Sequence, residues 1–210
     1  MIILMTSAIL LMFPALVAML SGAVYYAFSD LLGMFCEKLR NAQSFVVDYK
    51  VVMGLFQNYN DFSKMAHDVE KLLSSTSFLL LCSQWLNLYV VLVTYVMVDN
   101  KSFTTVHTWE CIPRLILAPL TITILVFCAS RVSSQVYKMR NHLRSIYNNL
   151  DYNIETLHLV KKMIKTEVPQ MTACSILSLK PVLILSLFGS VLTYGLLVLS
   201  IRKSESAITR

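Results

Sequence analysis

Residues Pro181–Ile201 read PVLILSLFGSVLTYGLLVLSI and contain no charged side chain. The hydrocarbon core of a bilayer is about 30 Å thick and an α-helix rises about 1.5 Å per residue, so about 20 consecutive apolar residues cross it. Three more stretches meet this requirement, at residues 1–28, 75–98 and 112–130. The sequence therefore predicts an all-α membrane helix bundle of about four transmembrane helices, the last at residues 181–201.

The composition favours a membrane protein over a soluble one. Hydrophobic residues make up 56% of the 210 residues and charged residues 14%, whereas about 25% of a typical soluble domain is charged. The net charge is +6, but no glycine-rich loop, zinc-ligand spacing or basic and aromatic strand pattern accompanies it. Nucleic acid is therefore not a predicted partner. The expected partner of these basic residues is the anionic surface of the lipid bilayer.

Neither the cysteines nor the histidines form a recognisable catalytic or metal-binding set. The five cysteines are an odd number and include no C-x-x-C pair, so a disulfide framework is not predicted. The histidines are His67, His107, His142 and His158, and they are widely separated in the sequence. No nucleophile–base pair or acidic residue inside a span is visible. The sequence therefore predicts no enzyme activity, no metal site and no cofactor.

The distribution of lysine and arginine predicts the orientation in the membrane. Segments 29–74 and 131–180 carry five and eight basic residues, whereas segment 99–111 carries Lys101 alone. Basic residues that flank spans stay on the cytoplasmic side. The two long segments are therefore predicted to be cytoplasmic, and both segment 99–111 and the tail 202–210 extracellular, in a multi-pass protein of the plasma membrane. The single N-x-S/T sequon, at Asn100, falls in the predicted outer loop as a candidate glycosylation site.

Both long polar segments contain amphipathic patterns, with apolar residues at steps of three and four. In segment 29–74 these are Phe35, Leu39, Ala42, Val46, Tyr49, Met53 and Phe56, then, after a break at 58–60, Met65, Val69 and Leu72. In segment 131–180 they are Val132, Val136, Met139, Leu143, Ile146 and Leu150, then Ile154, Leu157 and Ile164. Such faces either lie on anionic lipid or pack with one another or with neighbouring subunits. Packing is favoured because neither helix has a large basic face, and a folded cytoplasmic domain without a function of its own also fits.

The last predicted span is preceded by a short apolar stretch and carries a stripe of hydroxyl groups. Residues 171–177 are apolar, and Lys180 and Pro181 separate them from the span, which predicts a broken helix with a buried cytoplasmic half. At 100° per residue, one narrow stripe of the span contains Ser186, Ser190, Thr193, Leu197 and Ser200. This stripe fits close packing between helices, or the lining of a water-filled pore with Leu197 as an apolar gate.

The stretch 172–201, TACSILSLKPVLILSLFGSVLTYGLLVLSI, resembles the C-terminal signature of the arthropod gustatory receptors. In that family Thr-Ala-Cys leads into the last helix, followed by an apolar run, Thr-Tyr, five apolar residues, Gln and Phe. The matching residues here are Thr172, Ala173, Cys174, Thr193 and Tyr194, together with the apolar run 195–199. The chain departs from the signature at Ser200 and Ile201. Segment 58–75 is also similar to the helix before the family's fifth span.

This resemblance implies a function and an assembly. Family members have seven spans, a cytoplasmic N-terminus and an extracellular C-terminus, so the four spans here correspond to the fourth to seventh, and the chain is expected to be truncated. The implied activity is a ligand-gated, non-selective cation channel that detects small-molecule tastants. Its last span lines the pore, which implies that role for Ser186, Ser190, Thr193, Leu197 and Ser200. The implied partners are gustatory receptor subunits in a homo- or hetero-tetramer.

Four aromatic residues are weaker candidates for contact with the tastant. Trp85, Tyr89 and Tyr95 lie in the second span and Trp109 in the outer loop, and tastant pockets in the family open to the outside. An aromatic belt at the membrane interface explains Tyr95 and Trp109 equally well.

Two other kinds of membrane protein fit the same spans. The first is a non-functional or accessory protein that joins receptor tetramers. The second is a G-protein-coupled receptor, whose C-terminus would lie inside the cell.

Overall fold

The computed structural model describes residues 2–43, 49–97, 105–149, 154–166, 168–169, 171–174 and 176–208. Within these residues the chain forms five α-helices: α1 (Ile2–Gln43), α2 (Tyr49–Met97), α3 (Thr105–Asn149), α4 (Ile154–Lys165) and α5 (Pro181–Ile208). Two short strands, β1 (Thr172–Ala173) and β2 (Leu177–Ser178), lie between α4 and α5. The predicted all-α fold is confirmed. Asn100 lies outside the described residues.

Four helices of the described chain, α1, α2, α3 and α5, are long and apolar enough to cross a membrane. This confirms the prediction of a membrane protein with four transmembrane helices. The first three contain 42, 49 and 45 residues, which corresponds to about 60–75 Å at 1.5 Å per residue. A bilayer accounts for about 30 Å of that length. Each of these helices therefore continues without interruption well beyond a span.

The chain divides into two compact units, and each contains parts of several helices. The first, here called the apolar unit, consists of Met1–Gly22, Thr76–Phe127 and Leu179–Arg210. The second, here called the amphipathic unit, consists of Ala23–Ser75 and Cys128–Ser178. The apolar unit contains most of the four predicted spans. The amphipathic unit contains most of both predicted cytoplasmic segments.

The core of the apolar unit is formed by α1, α2 and α3, with a small contribution from α5. Its buried residues include Ala18, Ser21, Ser77, Leu80, Leu81, Gln84, Leu88, Val91, Ala118, Thr121, Ile122, Leu125, Val126, Leu179 and Val191. Two polar members, Gln84 and Thr121, line a small pocket of about 10 Å³. The Thr121 hydroxyl donates to the Ala118 carbonyl oxygen at 2.8 Å, which satisfies it within its own helix.

The core of the amphipathic unit includes the stripe predicted on α3. Its buried members are Val132, Val136, Met139, Leu143 and Ile146, and Leu150 lies outside the described residues. They share this core with side chains of the other three helices: Phe35 and Leu39 of α1, Val52, Leu55 and Tyr59 of α2, and Val160 and Met163 of α4. The α3 stripe is therefore covered by packing within the chain itself.

The stripe predicted on segment 29–74 is only partly correct. Phe35 and Leu39 are buried, but Tyr49 and Met53 are 39% and 37% exposed, and α2 buries Val52 instead. The physical reason is that α1 ends at Gln43 and α2 begins at Tyr49, so the periodicity does not keep its phase between two separate helices. Met65 and Leu72 are exposed as well, because α2 buries Ala66 instead, and Ile154 is exposed at the start of the separate helix α4.

The break predicted at 58–60 is also wrong, because α2 continues through these residues. Asparagine costs a helix only about 0.7 kcal/mol or less relative to alanine. Tyr59 is 2% exposed and donates its hydroxyl hydrogen to the Thr166 carbonyl oxygen at 2.7 Å. Burial of this ring and its hydrogen bond stabilise the helix where the local sequence suggests an end.

Candidate functional site

The helix α5 packs against the rest of the apolar unit along one narrow side. Only 11% of its span is buried, compared with 39%, 33% and 28% for the spans of α1, α2 and α3. The buried side includes Val191 and Gly195. A Cβ atom added to Gly195 would lie 2.6 Å from Cδ2 of Leu92 on α2. Glycine therefore permits a close approach of α5 to α2, and most of the α5 surface remains exposed.

Four of the five predicted pore-lining residues lie on the exposed surface of α5. Ser186, Thr193 and Ser200 are exposed, and Leu197 is 55% exposed. The Ser186 hydroxyl donates to the Val182 carbonyl oxygen at 3.2 Å, and the Thr193 hydroxyl donates to the Gly189 carbonyl oxygen at 2.8 Å. Because each proton is used within the helix, the hydroxyl oxygens remain available as acceptors on the surface.

Ser190, the fifth predicted pore-lining residue, is half-buried and contacts α2. Its hydroxyl donates to the Leu187 carbonyl oxygen at 2.7 Å and accepts a hydrogen bond from Nε1 of Trp85 at 3.1 Å. At 100° per residue Ser190 lies about 60° around the helix from Thr193, at the edge of the stripe. Ser190 therefore differs from the exposed hydroxyl groups of the stripe, because its oxygen accepts a hydrogen bond from a side chain of α2.

Two of the four ligand candidates belong to one aromatic cluster, which we define as Trp85, Tyr89 and Tyr194. The Trp85 and Tyr89 rings are stacked, with centroids 6.2 Å apart and an interplanar angle of 14°. Tyr89 and Tyr194 meet edge to face, with centroids 6.2 Å apart and an angle of 87°. Such aromatic pairs contribute about 0.5–1.5 kcal/mol beyond the burial of their area. Together with the bond to Ser190, this cluster connects α2 to α5.

The contacts that define this cluster involve neither of the other two ligand candidates. Tyr95 is 70% exposed near the end of α2. Trp109 lies in the first turns of α3, and its side chain is outside the described part of the structure.

The Thr-Ala-Cys motif forms a strand and a turn, not the helix predicted for residues 171–177. Strand β1 pairs antiparallel with β2, with Thr172 opposite Ser178 and Ala173 opposite Leu177. Cys174 adopts φ 52° between the strands. This left-handed conformation is costly for a residue with a side chain, so the contacts around the turn must stabilise it.

Those contacts come from α2 within the amphipathic unit. The Thr172 hydroxyl donates to Oε1 of Glu70 at 2.8 Å, and the Cys174 N–H donates to the Ser74 carbonyl oxygen at 3.2 Å. Ala173 is fully buried. Sequence analysis identified the three motif residues but not their partners on α2, which lie about a hundred residues earlier in the chain. The motif therefore attaches the segment that precedes α5 to α2.

Sequence analysis also missed the contact between Gly195 and Leu92. A signal for it was present, because glycine within a membrane helix is typical of places where two helices approach closely. In the sequence this glycine was counted only as part of the apolar run 195–199.

Comparison with known proteins does not identify the chain. No model of a known protein family matches the sequence, and no curated protein is similar enough to match it.

Proposed function

We propose that this chain is a subunit of a ligand-gated, non-selective cation channel of the gustatory receptor class, located in the plasma membrane, with α5 lining its pore. The observation that carries the proposal is the exposure of the hydroxyl stripe on the least buried of the four apolar helices. The resemblance of residues 172–201 to the gustatory receptor signature supplies the class of ligand, a small-molecule tastant, and the tetrameric assembly.

The exposed surface of α5 has two chemically different faces. One contains large leucines, namely Leu185, Leu192, Leu196 and Leu199, which are between 48% and 74% exposed. At 100° per residue these leucines lie about 110° around the helix from the hydroxyl stripe. Lipid chains are a suitable environment for the leucine face, whereas water or another polar helix face suits the hydroxyl groups. This asymmetry supports a helix placed between lipid and a central pore.

Leu197 is proposed as the gate of this pore. It lies within the hydroxyl stripe and its side chain is 55% exposed. A ring of leucines from four subunits would narrow the pore, and an apolar constriction closes to ions when it loses its water. Thr193, one turn earlier, would present hydroxyl oxygens to hydrated cations.

The aromatic cluster is proposed to connect tastant binding with the pore helix. Trp85 and Tyr89 belong to α2, and their partners Ser190 and Tyr194 belong to α5. A tastant that changes the position of either ring would change the contact of α2 with α5. In a two-state description such a ligand shifts the equilibrium by its difference in affinity for the two arrangements.

Cysteine accessibility tests the pore proposal. The variants Thr193→Cys and Leu197→Cys are expressed alone or together with a full-length relative, and the current is measured before and after an external thiol reagent. We expect irreversible block at both positions. Leu196→Cys is the matched control, because Leu196 is at least as exposed as Leu197 in the single chain, at 67% against 55%, but lies on the leucine face. Block that is equal at all three positions, or absent from all three, would contradict pore lining.

The position of the C-terminus separates this proposal from a G-protein-coupled receptor. An epitope added after Arg210 is expected to bind antibody on intact cells. Binding that requires permeabilised cells would overturn the topology and the channel assignment. If the epitope is external but co-expression only lowers the current of a full-length relative, the chain is an accessory subunit.

A further inference from the structure

A polar cleft of about 540 Å³ lies between α1 and α3 in the amphipathic unit. Its walls include three cationic side chains, Arg40, Arg131 and Lys138, and two carboxylates, Asp30 and Glu37. The balance of these charges is positive. His142 and Gln135 add further hydrogen-bonding groups to the same walls. The volume is large enough for a polar headgroup.

One of the three cations already has a carboxylate partner. Nη2 of Arg131 lies 2.9 Å from Oδ1 of Asp30, and its guanidinium lies over the Tyr26 ring, 4.3 Å from the centroid. These contacts hold Arg131 in place. Among the described residues, Arg40 and Lys138 form no ion pair. Within the described chain, the cleft therefore has, beside the positioned Arg131–Asp30 pair, two unpaired cations, Arg40 and Lys138, and one unpaired carboxylate, Glu37.

The wall of the cleft also contains a hydroxyl group without a partner. Ser29 is fully buried, and its Oγ makes no hydrogen bond to the described part of the chain. A buried polar atom left unpaired lowers stability, so such atoms in a folded protein require an explanation. An oxygen of a ligand in the cleft would accept this hydrogen bond only after the Ser29 side chain turns toward it, because Oγ has almost no accessible surface in this structure. The proposal therefore rests on the cationic side chains, with Ser29 as a secondary contact.

The position of the cleft in the sequence suggests where that ligand comes from. Asp30 follows the predicted span 1–28 closely, and Arg131 directly follows the predicted span 112–130. Both spans are predicted to end on the cytoplasmic side, and this topology predicts a cleft near the inner headgroups. Basic pockets at this level bind phosphorylated headgroups.

We propose that this cleft binds a phosphate monoester of an inositol-type headgroup. A phosphate monoester carries between about 1.5 and 2 negative charges at neutral pH, opposite in sign to the net charge of +1 that Arg40, Lys138 and Glu37 leave beside the Arg131–Asp30 pair. Its three terminal oxygens can accept hydrogen bonds from guanidinium and ammonium groups together. The site uses only side chains of the amphipathic unit and needs no pore, but its lipid source rests on the same predicted topology as the proposed function.

The test measures binding of a short-chain phosphatidylinositol bisphosphate to the purified full chain in detergent micelles. Phosphatidylserine serves as the anionic lipid without a phosphate monoester, and inositol trisphosphate as the soluble headgroup. The cleft variant is Arg40→Gln with Lys138→Gln. The matched control is Lys161→Gln with Lys165→Gln, which removes the same charge from exposed positions of α4 outside the cleft.

We expect the bisphosphate lipid to bind the wild-type chain at least tenfold more tightly than phosphatidylserine. The cleft variant should bind it about 30-fold more weakly, since each basic residue contributes about fivefold, and the control variant should change little. If inositol trisphosphate binds as tightly as the lipid, the cleft recognises the free headgroup. If inositol trisphosphate binds more weakly than the lipid, the ligand of the cleft is the intact lipid. Equal binding of phosphatidylserine, or equal losses in both variants, would overturn the proposal.

The Ser29→Ala variant distinguishes a loss of lipid binding from a loss of folding stability. Because the hydroxyl has no partner, its removal should leave the melting temperature of the unliganded chain unchanged or slightly higher. Binding of the bisphosphate lipid should nevertheless weaken several-fold. Unchanged binding would contradict a role for the hydroxyl and, together with an unaffected cleft variant, would rule out the site.

Discussion

The two glycines of α5 allow the contact with α2 to be measured without interference from helix propensity. At Gly189 an added Cβ meets nothing within 4 Å, whereas at Gly195 it would lie 2.6 Å from Cδ2 and 3.3 Å from Cγ of Leu92. Replacing glycine by alanine within a helix stabilises it by about 0.5–1 kcal/mol. Overpacking a contact costs about 1–3 kcal/mol. The added atom meets the end of the half-buried Leu92 side chain, which can turn away, so we expect Gly195→Ala to be less stable than Gly189→Ala by about 1 kcal/mol, the lower end of that range.

The assay is the free energy of unfolding of the two variants in mixed micelles, with sodium dodecyl sulfate as denaturant and circular dichroism as the signal. Gly189→Ala should be more stable than the wild-type chain by about 0.5–1 kcal/mol. The gain from propensity is common to both variants, so the difference between them reports the packing against Leu92 alone.

A second substitution shows whether Leu92 is the cause. In a Leu92→Ala background the added Cβ has room, and the difference between the two alanine variants should fall below about 0.5 kcal/mol, as expected for uncoupled sites. The reasoning is refuted if Gly195→Ala is as stable as Gly189→Ala, or if the difference persists when Leu92 is removed. The first result would mean that α5 does not approach α2 as closely as the structure indicates, and the second that Leu92 is not the cause of the difference.

Three other contacts lead to predictions about stability. A double-mutant cycle of Trp85→Phe and Ser190→Ala should give a coupling free energy of about 0.6 kcal/mol, typical of a hydrogen bond between membrane helices; a value of zero would argue against the bond of 3.1 Å. Tyr59→Phe removes the donor to the Thr166 carbonyl oxygen and should lower the free energy of unfolding by about 0.5–1.5 kcal/mol, a loss that Tyr49→Phe on the exposed face should not cause. Ala173→Leu adds volume at a fully buried position and should cost about 1–3 kcal/mol, measured by thermal unfolding; a neutral result would mean that the turn has room to expand.

Much of the architecture follows from properties that can be counted along the chain. The length of an apolar stretch and its lack of charge decide whether it can cross a bilayer, which is why four spans were predicted. The stripe on α3 was predicted because one helix keeps a constant period from Val132 to Ile146. The exposed part of the hydroxyl stripe was predicted for the same reason, since its members belong to one uninterrupted helix.

The incorrect predictions have a common cause, which is the dependence of each feature on a distant part of the chain. The apolar stripe predicted across α1 and α2 did not hold on α2. The helical spacing of apolar residues is kept only within one continuous helix, and α1 and α2 are separate helices. Residues 171–177 are apolar enough for a helix, but hydrogen bonds from Thr172 to Glu70 and from Cys174 to Ser74 stabilise a strand and a turn instead.

By itself, therefore, the sequence determined that this is an all-α membrane protein with four spans, and it determined which face of the last span carries hydroxyl groups. Only the tertiary structure decided that Ser190 is bonded to Trp85, that Gly195 lies against Leu92, and that α1 and α3 enclose a cationic cleft. The physical reason is that hydropathy and helical period are local properties, whereas the partner of a side chain depends on which helix packs beside it.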